Sequence, residues 1–317
     1  MNATKVNAEP AITKPDAAGI AAAAALIRAG GLVAVPTETV YGLAARADSD
    51  VAVAGIYRAK GRPDFNPLIV HVPSLAAAEA LAHFDDRARL LAEHFWPGPL
   101  TLVLPRRAEA TLAAAVSAGL PTIALRCPDH PVMHALLEAG GLPLAAPSAN
   151  RSGAVSPTSA AHVAASLGNR VGLIIDGGAT RQGLESTIVA LREHGGWALL
   201  RPGPIEEAAI AALLGPGGAI ATARIEAPGQ LASHYAPGKP VRLEAISARP
   251  GEFHIGFGQV AGDVSLSLRG DLAEAAARLY ACMHLAAAAE APRIAVAPVP
   301  HDGIGAAIND RLRRAAA

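Results

Sequence analysis

Cysteine is nearly absent. Cys127 and Cys282 are the pair in 317 residues, which excludes a disulfide framework and fits a reducing compartment. A charge excess is missing too: Lys plus Arg is 27 and Asp plus Glu is 27, so the formal net charge is zero. That balance argues against a protein whose main task is coating nucleic acid, while leaving a local basic patch open. The longest uncharged stretches, near 110–125 and 208–223, fall short of the ~18–20 residues that a membrane span needs, and Gly and Pro interrupt them. Aromatics make up 3% of the chain, so a large polar-tipped side chain stands out against the Ala, Leu and Val. Residues 1–15 carry no signal-like apolar segment and read as a disordered lead-in. A soluble, cytoplasmic protein is expected.

What is present reads as α/β. The length corresponds to roughly two domains. Short apolar runs bounded by Gly and Pro have strand length: 32–35, 68–72, 100–104, 122–126, 172–176 and 187–191. Helical stretches lie between them at 17–29, 48–60, 75–83, 86–95, 131–139 and 158–167. The texture changes over 213–240, a Gly-, Pro- and Ala-rich candidate linker. Beyond it, strands at 241–245, 254–257, 264–268 and 293–298, with helices at 271–289 and 304–314, predict a second, smaller α/β domain over 241–317.

Four stretches concentrate chemistry. PTETVYGL at 36–43 follows a strand, where open α/β sheets bind ligands, although a polar turn explains it equally well. In Arg58-Ala59-Lys60-Gly61-Arg62-Pro63, Gly61 ends a helix capped near Asp48 and Ser49. Its cations either complement the helix dipole or form a fixed positive cluster for phosphate or carboxylate. Asn66 and His71 follow, and a histidine in an apolar strand is more often a core residue than a ligand. APSANRSG at 146–153 offers small residues for close backbone approach, with Ser156 a candidate cap for a helix starting at Pro157. The last set is Asp176-Gly177-Gly178, Leu184-Glu185-Ser186-Thr187 and Arg201-Pro202-Gly203. None is specific alone. Cys127, Asp129, His130 and His134 imitate a metal cluster, but they lack a second ligand pair, and Pro131 marks them as a helix start. Dinucleotide, Walker A and G-x-S-x-G patterns are absent.

Taken in order, PTETVYGL, KGRP with NPLIVHV, FWPGPLTLVL, TIALR, APSANRSG, DGG and LESTIV resemble the YrdC/Sua5 family, the threonylcarbamoyl-AMP synthases, over about residues 16–206. SHYAPGKP at 233–240 and the chain after it resemble the long Sua5 type. The resemblance implies an open, twisted mixed sheet with helices over 16–212 and a linker or lid over 213–240. A Rossmann-like α/β domain would follow. It implies synthesis of L-threonylcarbamoyladenylate from L-threonine, bicarbonate or CO2, and ATP, releasing pyrophosphate. That product serves t6A modification of adenosine 37 in ANN-decoding tRNAs. Such chemistry needs no protein nucleophile, only positioning and charge neutralisation.

By the same resemblance the signature K-x-R…S-x-N falls on Lys60, Arg62, Ser148 and Asn150 as the catalytic set. Threonine would contact Thr39, His71, Arg126 and Ser186, with backbone near Ala146. ATP would contact Arg62, Asn66, Thr122, Ser148, Ser156, Arg201 and Tyr235. Mg2+ would be held through phosphates and water. The downstream t6A transferase machinery would be the partner, with tRNA met indirectly and no membrane. Two alternatives stay open: an RNA-binding module of this fold, and a YciO-like paralogue without the activity.

Overall fold

In the computed structural model, which describes residues 10–192, 195–217, 226–231 and 233–317, the chain forms two sheets. Its first stretch runs β1 (Ala11–Thr13), α1 (Ala17–Arg28), β2 (Val33–Pro36), β3 (Tyr41–Arg46), α2 (Asp50–Lys60), β4 (Ile69–His71), α3 (Leu75–Glu79), α4 (Asp86–Phe95) and β5 (Leu100–Pro105). There follow α5 (Ala114–Ser117), β6 (Thr122–Arg126), α6 (Pro131–Gly140), β7 (Leu144–Ala145), α7 (Ala160–Leu167), β8 (Leu173–Ile175), β9 (Thr187–Leu191), β10 (Trp197–Arg201) and α8 (Glu207–Leu214). The remainder is β11 (Val241–Arg242), β12 (Glu252–Gly256), β13 (Val264–Ser265), α9 (Leu272–Ala288), β14 (Arg293–Val296) and α10 (Gly305–Ala316).

The larger sheet is mixed, in the order β1-β8-β2-β3-β7-β4-β6-β5-β9-β10. The smaller one, β11-β14-β12-β13, is parallel throughout, which suits a Rossmann-like unit. Local sequence explains the helices that frame the site. Asp16 caps α1, accepting from the Gly19 amide at 2.9 Å, and the i, i+3, i+4, i+7 set Ile20, Ala23, Ala24 and Ile27 turns inward. Full burial of Ile27 contributes about 1.5–3 kcal/mol. Ser49 caps α2, and Gly61 ends it at φ 60°, a left-handed conformation that glycine adopts without a Cβ penalty.

Several expectations need correction. Residues 11–13 are not part of a disordered lead-in: they form β1, which pairs in parallel with β8, while residues 1–9 lie outside the described residues. Ser156 does not cap a helix at Pro157, because α7 begins at Ala160 and the Ser159 hydroxyl accepts from the His162 amide. The linker starts later than residue 213, since α8 continues to Leu214. β3, β7 and β10 are additional strands. β3 is buried on both faces, so it carries no alternation to read.

Candidate active site

A cleft opens on the larger sheet, walled by Thr39, Arg62, His71, Arg126, Ser148, Ser186, Arg201 and Tyr235. Sheet register accounts for the convergence. His71 and Arg126 sit side by side at the ends of β4 and β6. Residues 147–149 continue the β7 register along β3: Leu43 N–H donates to Pro147 O at 2.7 Å and Ala149 N–H donates to Tyr41 O at 2.8 Å. A Cβ on Gly42 would stand 3.3 Å from that of Ala146, a tight contact that the neighbouring segment would have to relieve by shifting.

Lys60 is a clasp. Its ammonium donates to Ser148 O and Asn150 O, both at 2.6 Å, and lies 3.4 Å from Asn150 Oδ1. The Asn150 side-chain amide in turn donates to Arg151 O and Ala154 O, closing the loop on itself. Arg62 extends beside it, its Nη2 donating to Asn66 Oδ1 at 2.7 Å and to Pro67 O at 2.8 Å. Arg201 donates to Ser186 O and Ser186 Oγ, each at 3.0 Å. Burial holds Lys60 well below the usual lysine range and pulls Arg62 down to about 10. It lowers Arg201 as well. None of these three cations makes an ion pair among the described residues.

The other two charged groups on the wall are neutralised. Arg126 Nη2 donates to Glu38 Oε1 at 2.6 Å and to Thr39 Oγ1 at 3.0 Å. Glu185 accepts from Ser156 Oγ at 2.5 Å and pairs with Arg311 at 2.9 Å. Burial alone would raise the Glu185 carboxyl, but the guanidiniums of Arg311 and Arg201 outweigh it and hold the group down to about 2. His71 is pushed to about 3 by burial and by Arg126, so its ring is neutral near pH 7. Tyr235, fully buried at φ 64°, brings to this wall a hydroxyl without a hydrogen-bond partner among the described residues.

The structure therefore brings Thr39, Arg62, His71, Arg126, Ala146, Ser148, Ser186, Arg201 and Tyr235 together around the cleft. Lys60, Asn66 and Ser156 stand one hydrogen bond behind its wall, and Asn150 stands behind Lys60. Thr122 is not brought there. It lies at the far end of β6 from Arg126 and lines a separate depression with Asp85, Pro105 and Leu191, so the geometry does not carry the expected nucleotide contact. Glu38 and Arg311 went unassigned in the sequence. Glu38 lay inside a quoted motif, whereas nothing near Arg311 marks it. Of the apparent metal cluster, Asp129 pairs with Arg181 and His130 caps α6.

A family model described as "Telomere recombination" matches residues 25–203, and one described as "Threonylcarbamoyl-AMP synthase, C-terminal domain" matches residues 204–317. The chain is similar to the threonylcarbamoyl-AMP synthase of Bacillus subtilis, with 41% identity covering 94% of this chain and 92% of that protein. It is similar also to the one from Pyrococcus abyssi, with 40% identity covering 92% of each. Among solved structures it resembles P. abyssi Sua5 complexed with L-threonine, with a TM-score of 0.88, 37% identity and 97% of each chain covered. Its likeness to E. coli YciO, with 24% identity and a TM-score of 0.53 over 62% of this chain and 96% of that one, is one of fold alone. With matches over both parts of its length, this chain belongs to the threonylcarbamoyl-AMP synthase family, in its long Sua5 form.

Proposed function

We propose that the chain condenses L-threonine, bicarbonate or CO2, and ATP into L-threonylcarbamoyladenylate and pyrophosphate, for t6A modification of ANN-decoding tRNAs. One observation carries this reading: Arg62 and Arg201 line one cleft and Lys60 is buried just behind its wall, all three with only neutral partners among the described residues. Burying uncompensated charge is costly, and a polyanion such as a triphosphate repays it. Similarity to the B. subtilis and P. abyssi proteins, at 41% and 40% identity over 94% and 92% of this chain, supports the same reaction.

The threonine amine first adds CO2. An oxygen of the resulting carbamate then attacks the α-phosphorus of ATP, the bond from that phosphorus to the β-bridging oxygen breaks, and pyrophosphate leaves. Arg126 presents its fork to the threonine carboxylate, with Thr39, Ser186 and the Ala146 backbone fixing the rest of the amino acid. Neutral His71 adds no second charge beside it. Arg62 and Arg201 meet the phosphates, and Ser148, Ser156 and Tyr235 orient the nucleotide. Lys60 and Asn150 keep the Ser148 loop in place for this. The protein supplies positioning and fixed charge instead of a nucleophile.

Mg2+ fits the site only through its substrates. Both nearby carboxylates, Glu38 and Glu185, are engaged by arginines, and no group of three metal-ligating side chains occurs among the described residues. When bound with its substrate, the ion would supply charge neutralisation on the phosphates. Of the 213–240 linker, residues 218–225 and 232 lie outside the described residues. The part around Pro228, Gly229, His234 and Tyr235 lines the cleft and acts as a cover over it, and the product passes to a t6A transferase in the cytoplasm. No helix among the described residues is long and apolar enough to cross a membrane. Pyrophosphate release measured with threonine and bicarbonate omitted in turn tests the assignment. Release must depend on both, and equal release without threonine removes it.

A further inference from the structure

The wall of the cleft is braced from behind by α10, through Glu185. Glu185 Oε1 accepts from Ser156 Oγ, while Oε2 accepts from Tyr280 Oη at 2.8 Å and Arg311 Nε at 2.9 Å. Arg311, on α10, has no exposed surface. Its other nitrogens are committed too, Nη1 to Asp310 Oδ2 at 2.7 Å and Nη2 to Pro202 O at 3.0 Å. The guanidinium carbon stands 5.2 Å from the centroid of the Tyr235 ring. One turn on, Arg314 pairs with Asp310, and its carbonyl accepts from the His234 amide at 3.1 Å. The segment carrying Ser156 is held from the same side: Ala236 N–H donates to Gly153 O at 2.7 Å, and His284 Nε2 lies 3.1 Å from Ser156 O.

Charge counting gives this network a purpose beyond adhesion. Glu185, Asp310, Arg311 and Arg314 form a self-neutral set of two acids and two bases. A buried ion pair returns little net stability over apolar packing, so holding two parts of the chain together does not require one. What apolar side chains cannot do is orient a carboxylate and occupy its charge. The field of Glu185 already reaches Arg201, which has no carboxylate partner of its own among the described residues. Held by Arg311, the carboxylate stays on Ser156. Released, it keeps the Ser156 and Tyr280 hydroxyls but loses its paired cation, and the next positive charge acting on it is Arg201, the cation that the nucleotide needs.

We infer that Arg311 is a positioning residue of the adenylation site: it fixes Glu185 so that Ser156 is oriented and Arg201 stays free for phosphate. The inference rests on the reading above, in which Ser156 and Arg201 meet ATP. It makes the C-terminal part of the chain a component of the nucleotide site, although Arg311 touches no substrate itself.

The test uses the full-length chain with four forms: wild type, Arg311→Gln, Arg311→Lys and Tyr280→Phe. KM for ATP and kcat come from pyrophosphate release, and the Kd values of L-threonine and ATP come from calorimetry. Arg311→Gln should raise KM and Kd for ATP by about tenfold to a hundredfold, the equivalent of one charged hydrogen bond, with threonine Kd within about threefold. Arg311→Lys should recover part of this, because the charge remains while the fork is lost. Tyr280→Phe, which leaves Arg311 in place, should raise KM for ATP by a smaller factor. A purely structural arginine would lower kcat through loss of folded enzyme and leave KM for ATP unchanged. That pattern, or ATP affinity within threefold of wild type in folded Arg311→Gln, overturns the inference. Should Arg311→Gln not fold, unchanged ATP affinity in both other variants overturns it equally. Wild type that releases no threonine-dependent pyrophosphate removes the parent reading instead, and the ATP Kd values still decide the role of Arg311.

Discussion

The ammonium of Lys60 stands 2.6 Å from the main-chain oxygen of Asn150, ninety positions further along the chain, and equally close to that of Ser148. Half of the K-x-R…S-x-N signature is thus spent on shaping a loop. Only Arg62 and Ser148 of the four line the cleft itself.

Lys60→Met tests that division of labour. The substitution keeps the buried apolar stem but strands two carbonyl oxygens, at about 1–3 kcal/mol for each buried group left unpaired. Thermal unfolding should show a clear loss of stability, accompanied by loss of pyrophosphate release. Lys60→Arg should rescue neither, since a planar fork does not fit a site built around a compact ammonium. An unchanged unfolding midpoint in Lys60→Met would show that the clasp is not holding the loop.

Arg126 carries a complication that the pattern TIALR does not announce. Its partner Glu38 has no exposed side-chain surface, so Arg126→Ala abandons a buried carboxylate and should cost about 3–5 kcal/mol of stability. Adding Glu38→Gln should restore much of that stability without restoring threonine affinity. Arg126→Lys should recover only part of the affinity, because a single ammonium cannot present the fork. Calorimetry on the double variant separates the two effects: wild-type threonine affinity there would remove Arg126 from the carboxylate site.

Legibility followed the range of the interactions. Helices α1 and α2 were readable because their caps, apolar stripes and terminal glycine lie within a dozen residues. β3 was not, since burial on both faces erases the period of two, and β1 exists only because β8 receives it. Ser156 looked like a helix cap from its neighbour Pro157, but a carboxylate 29 positions away claims its hydroxyl. Motif order found most of the cleft wall. It could not find Arg311, which sits in the charged run NDRLRR that reads as a solvated helix face and yet is wholly buried against Glu185, 126 positions earlier.

Acid should unfold the protein in two stages. Burial pushes His71 and His234 down to about 3, and burial with the neighbouring His284 takes His162 to about 4. Their unfolded values lie near 6.5. The unfolded chain therefore binds more protons below that pH, and stability is fully present above about 6.5 and lost as pH falls. At pH 5.5 His71 and His234 each cost about 1.4 kcal/mol, and half-buried His162 costs less. Glu185 has the depressed pattern of an acid, about 2 against 4.5, so its contribution is present above about 4.5 and lost toward 2. Urea midpoints should hold from pH 8 to 7, decline below 6.5 and steepen below 4.5. His162→Gln should make the first decline shallower. A midpoint flat down to pH 5 would mean that these rings are charged in the folded protein.

Tyr235 yields the sharpest separation of stability from function. Its ring lies against His234 and Tyr280, with centroids 4.0 and 5.7 Å away, and Arg311 stands over its face. The backbone at φ 64° is one that a non-glycine residue holds only at a cost, which surrounding contacts must sustain. The hydroxyl, by contrast, has no partner among the described residues and is buried at the cleft. Removing an unsatisfied polar atom loses no hydrogen bond, so Tyr235→Phe should unfold at the wild-type temperature or slightly above it. If the hydroxyl meets ATP or the adenylate, KM for ATP should rise by about tenfold in the same variant, the worth of one hydrogen bond. Tyr235→Ala should lose stability as well, because the ring packing goes with the hydroxyl. Proteolysis supplies a second reading, since closure over bound substrates should slow cleavage within 213–240 when threonine and ATP are both present. Wild-type kinetics in Tyr235→Phe, together with cleavage equally fast with and without substrates, would show that the tyrosine pins the segment in place and takes no part in closing the site.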